Sequence, residues 1–146
     1  MSGAINLWLL LGAVLSAVAA ALHVAIIIGG ARWYRYFGAG EQMAGMAEAG
    51  RWAPGLITAG LALVLSIWSA YALAGAGWLI APGSLPWLKL GLSLITTAYL
   101  LRGLAVVPAW LWVPTQATPF MFWSSLICLG YGLVHLVGLV QVWGRL

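Results

Sequence analysis

The sequence predicts an all-α membrane protein: a four-transmembrane-helix bundle with a seam of polar and small residues and an interfacial segment between helices 1 and 2. Three observations carry that expectation. Hydrophobic residues make up 64% of the chain and charged residues 5%, with a mean hydropathy of +1.06, far from the roughly one quarter of charged residues usual in soluble domains. The apolar residues fall into four runs, each near the ~20 residues that cross a bilayer. Five of the eight charged residues, both carboxylates included, gather in the stretch from Arg32 to Arg51. Runs of this length fill the chain, so residues 1–146 read as a single integral membrane domain.

In chain order, the expected spans are 5–29, 52–74, 86–107 and 120–143. The first imitates a secretory signal, with small residues from Ala17 to Ala19, but no basic segment precedes Ile5, and a retained helix is expected. The first connector opens with Trp33, Tyr34, Tyr36 and Phe37 and continues through Glu41 to Ala49. It reads as an aromatic anchor with a short interfacial helix or, with equal weight, as an ordinary aromatic-belt loop. The second connector, 75–86, has the Gly, Pro and Ser punctuation of a surface turn. Pro108, Pro114 and Pro119 break the third, in which Trp110 and Trp112 suit the membrane interface.

The net charge of +4 is scattered over the ends of apolar runs, which suits membrane lipids as partners and excludes a nucleic-acid site. Connectors one and three claim Arg32, Arg35, Arg51 and Arg102, whereas Lys89 and Arg145 belong to the opposite side. The positive-inside rule then places both termini outside and connector 32–51 in the cytoplasm, in a plasma membrane or a bacterial inner membrane. One cysteine, Cys128, excludes an intramolecular disulfide and a multi-cysteine metal cage.

Within the spans, polar and small residues fall in stripes: Asn6, Ala13, Ser16, Ala20, His23 and Gly30 in the first, and Gly55, Thr58, Ala62, Ser66 and Ser69 in the second. Ser93, Thr96, Thr97 and Gly103 cluster in the third, and Ser124, Cys128, Tyr131, His135 and Gly138 in the fourth. Helix contacts in a bilayer favour small residues and interhelical hydrogen bonds, so the stripes are expected to face one another.

Ionisable groups within spans are the best pointers to function, since hydrocarbon holds them only when paired or wet. They are His23, Arg102 and His135. Lys89 reads as snorkelling to its own surface, and Arg102, a rise of ~20 Å further along, either reaches a headgroup or turns inward as an anion site. Two histidines on two helices invite a bis-histidine haem, but His23 and His135 are expected to differ in depth by ~8 Å, so no haem or other cofactor is predicted. Met43 and Met46 with His23 read as buried side chains, and no metal is expected. No span carries a carboxylate of the kind expected in the first helix of a small multidrug transporter.

The leading functional reading is an accessory or binding protein for a lipid-like ligand or a membrane partner. The ligand would be a hydrophobic or anionic amphiphile, and a second copy or another membrane protein is an alternative partner. Glu41, Arg102, Ser124 and Tyr99 are the candidate ligand-binding residues. The alternative is a membrane enzyme acting on a lipid or isoprenoid-like substrate at the cytoplasmic interface, with His23, Arg102 and Ser124 as catalytic candidates. The half of the bundle holding Asn6, Tyr71, His135 and Gln141 reads as structural.

Overall fold

The computed structural model describes residues 4–80 and 82–146. Residues 1–3 of the expected domain and residue 81 of the expected second connector lie outside the described residues. The chain is an all-α integral membrane protein, with no strand among the described residues. Its order is α1 (Leu7–Gly29), α2 (Ala31–Tyr36), α3 (Glu41–Glu48), α4 (Ala53–Ala76), α5 (Leu88–Leu104), α6 (Val106–Trp112) and α7 (Pro119–Val142). Four stretches are long and apolar enough to cross a membrane: Leu7–Gly29, Ala53–Ala76, Leu88–Trp112 and Pro119–Val142.

The third span runs past its expected end at 107, because α6 follows α5 after a single turn residue, Ala105. Pro108 explains both the break and the continuation. It has no N–H for the Leu104 carbonyl and its ring crowds that carbonyl, so the α-helix is interrupted one turn earlier. As the third residue of α6 it occupies a first turn, where a missing N–H costs little. Trp110 and Trp112, expected in a connector, therefore lie on a helix.

The residues fall into two compact units, and the division runs through α1 and α4. The first unit holds α1 up to Ser16 and everything from Trp68 onward. Here segments of all four spans pack as a bundle around Leu9, Ala13, Ala72, Leu88, Leu92 and Leu139. Asn6 ties the bundle at one end. Its Oδ1 accepts from Leu9 N (2.8 Å) as the α1 N-cap, its own N–H donates to Ala76 O (3.0 Å), and its Nδ2 donates to Gln141 Oε1 (2.8 Å). Helices α5 and α7 run antiparallel and approach closely at Gly103, where a Cβ would lie 2.6 Å from Leu129 Cα. Thr118 caps α7 by accepting from Met121 N (3.2 Å), with Pro119 at the first helical position.

The second unit spans Ala17 to Ile67. Gly30, at φ 64, ends α1 and opens α2, a left-handed backbone that suits glycine. Ile26, Tyr34 and Ala44 form its small core, with Phe37 and Met43 packed against them. The Tyr34 hydroxyl pairs with Thr58 Oγ1 (3.1 Å), which itself donates to Pro54 O.

The stripes are partly as expected. Ala13, Ser16, Ala20, Thr58, Ala62, Ser69, Thr96, Gly103, His135 and Gly138 are buried, while Ser66 and Thr97 are exposed. Ser66, Ser93 and Thr96 donate to the carbonyl four residues back in their own helix, so in those three the hydroxyl is satisfied without a neighbour. Other stripe residues do bond a neighbouring element, among them Ser69 to Ala13 O (2.8 Å), Ser16 with the Tyr99 hydroxyl (2.9 Å), Thr58 with Tyr34, and Asn6 with Gln141.

Candidate functional site

Arg102 occupies the last turn of α5, where the helix dipole favours a cation, and reaches across to the second turn of α7. Its Nη1 donates to Ser125 Oγ and its Nη2 to Ser124 Oγ, both at 2.8 Å. Ser124 Oγ passes its own hydrogen to Met121 O (3.2 Å), and Ser125 is fully buried. Two adjacent hydroxyls thus hold the two arms of one planar fork on a residue that is itself exposed.

The charge balance gives this cluster its meaning. The chain has two carboxylate side chains, Glu41 and Glu48, and both are held by Arg35 in the second unit. Arg35 Nε donates to both oxygens of Glu41 (2.9 and 3.1 Å), while Nη1 and Nη2 grip Glu48 at 2.6 and 3.0 Å. Those bonds, and then the charge behind them, hold the Glu48 carboxyl below the usual carboxylate range. Arg102 has only neutral oxygens as partners among the described residues.

Tyr99 lies one turn before Arg102 but turns to a different set. Its hydroxyl pairs with Ser16, and its ring packs edge-on against Trp68 (4.9 Å between centroids) and Tyr131 (5.4 Å), with His135 at 5.2 Å. His135 is fully buried, with Nδ1 2.8 Å from Tyr131 O. A carbonyl can only accept, so Nδ1 carries the hydrogen and Nε2 of the neutral ring presents a lone pair. Nε2 has no partner among the described residues. Gly12 covers the ring: a Cβ there would lie 2.7 Å from Cε1 and 3.0 Å from Nε2.

Of the residues singled out from the sequence, the structure brings Arg102, Ser124 and Ser125 together. Glu41 is committed to Arg35, and half-buried His23 turns Nδ1 to Ala19 O (2.7 Å). Among the described residues neither imidazole hydrogen-bonds a serine. Among the described residues no group of three or more His, Cys, Asp or Glu side chains is placed to hold a metal ion. The Arg35 clamp escaped the sequence reading, although both carboxylates of the chain following Arg35 within one connector were its visible signal. Comparison with protein-family models, curated proteins and solved structures gave no match.

Proposed function

We propose that this protein acts as one integral membrane domain that binds an anionic, lipid-like amphiphile without transforming it. One observation carries the reading: Arg102 is pre-oriented by Ser124 and Ser125 while every carboxylate side chain of the chain is engaged by Arg35. A guanidinium at the flank of an apolar helix pair gains most from an anion supplied from outside the chain, and a lipid phosphate is the anion a bilayer offers. The positive-inside asymmetry supports both termini outside, with the segment 32–51 and the Arg102 end at the cytoplasmic face of a plasma or bacterial inner membrane. The reading includes no haem, for which the close cover of Gly12 over His135 leaves little room in the first unit.

The test is lipid retention by the purified full chain, measured by native mass spectrometry after exposure to phosphatidylglycerol in mixed micelles. Arg102→Gln is expected to weaken retention at this site about tenfold, the scale of a charge-assisted hydrogen bond. His135→Ala is expected to lower thermal stability and leave retention intact. Retention lost in His135→Ala but unchanged in Arg102→Gln would place the site elsewhere.

A further inference from the structure

The other end of the α5 and α7 pair carries a second set of cations that the Arg102 reading does not use. Lys89, in the first turn of α5, donates Nζ to Trp143 O (2.9 Å), just past the end of α7, and stands 4.2 Å from the centre of that indole ring. The carbonyl and the ring fix the ammonium in place, and among the described residues Nζ forms no second hydrogen bond. Arg145 follows two residues after Trp143, with an exposed side chain. Lys89 and Arg145 line one open concavity of about 680 Å³, together with Leu85, Trp87, Leu90 and Leu146.

We propose that this concavity binds the phosphate headgroup of an anionic membrane lipid. Its cations are not answered by a side chain: the two carboxylate side chains are held by Arg35, and among the described residues neither Lys89 nor Arg145 forms an ion pair. The position selects a lipid over a soluble anion. Lys89 lies where one span begins and Arg145 just beyond where another ends, so the site sits at headgroup level. The flanks are apolar as well as basic, for Trp87 is 81% exposed, Leu90 53% and Trp143 49%, which offers a surface for glycerol and the upper acyl chain. A site for inorganic phosphate alone would have no use for them.

The experiment uses the full-length protein in detergent, with phosphatidylglycerol, phosphatidylcholine and inorganic phosphate as separate probes. Lys89→Gln with Arg145→Gln is the main variant, since glutamine still offers Trp143 O a donor. Arg145→Lys, which keeps the charge, is the rescue. Phosphatidylglycerol affinity at this site is expected to fall about fivefold per cation removed, so about twenty-five-fold in the double variant. Arg145→Lys should stay close to wild type. Because Arg102 belongs to a separate cluster, Arg102→Gln should leave this affinity unchanged, so either site can fail without the other. Equal retention of phosphatidylcholine, or unchanged phosphatidylglycerol affinity in the double variant, would overturn the proposal. Inorganic phosphate that binds as well as the lipid would replace the lipid by a soluble anion and overturn it equally. If the double variant melts far below wild type, Arg145→Gln alone, at an exposed side chain, decides.

Discussion

Two arginines in this chain meet opposite surroundings. Arg35, between α2 and α3, is clamped by two carboxylates, whereas Arg102, between α5 and α7, is held by two serine hydroxyls. The difference shows where the chain puts its charge compensation. The Arg35 network is exposed, so solvent screens it and its pairing contributes little to stability. The Arg102 fork leans on a buried Ser125 and has no carboxylate partner among the described residues. Arg35 has both carboxylate side chains as partners, whereas Arg102 has only neutral oxygens among the described residues.

The packing differs in the same sense, and glycine substitutions offer the largest effect with which to probe it. At Gly103 a Cβ would meet Leu129 backbone atoms at 2.6 Å, and backbone cannot swing aside. Gly103→Ala should therefore destabilise the protein by about 1–3 kcal/mol, the usual cost of overpacking. Gly45, inside α3, has nothing within 4 Å of the place a Cβ would take, so Gly45→Ala should stabilise by about 0.5–1 kcal/mol through helix propensity. Thermal melts in one detergent compare the two. A similar loss at both positions would mean that the region around α3 packs as tightly as the α5 and α7 pair.

Exposure to ligand sharpens the contrast next. Arg35→Gln should leave phosphatidylglycerol retention within about twofold of wild type, because that guanidinium already has its anions, against the roughly tenfold loss expected for Arg102→Gln. Equal losses in the two variants would show a diffuse electrostatic attraction in place of a site.

The sequence made the membrane class and the four spans legible, because a run of about 20 apolar residues has few other uses. It placed Asn6 and Gln141 in one hydrogen-bonding set, and the two do bond, since one lies just before α1 begins and the other in the last turn of α7, at the same end of the bundle. The partners of hydroxyls were harder to read. Ser93 and Thr96 bond their own helix while Ser16 reaches Tyr99, and nothing in residue type separates an own-helix acceptor from a neighbour. In the candidate site, Arg102 and Ser124 were legible from depth, whereas Tyr99 and Glu41 were drawn away by Ser16 and Arg35, partners that depth alone does not rank.

The smallest expected effect is the pH dependence of the Arg35 clamp. Glu48 titrates below its ordinary value of 4.5 because Arg35 hydrogen-bonds and attracts the ionised form. A depressed carboxylate favours the folded state above the unfolded value, and that contribution disappears as pH falls through the lowered one. The clamp should thus be intact at neutral pH and loosen only in acid below about 4.5. Glu48 is fully exposed, so global melting should hardly register the change. Hydrogen exchange in α2 and α3 should rise locally over that acid window and be less steep in Glu48→Gln, whose amide is uncharged at every pH. A wild-type profile identical to that of Glu48→Gln would show that the ion pair does not hold the two short helices together, and the contrast between the two arginines would rest on ligand binding alone.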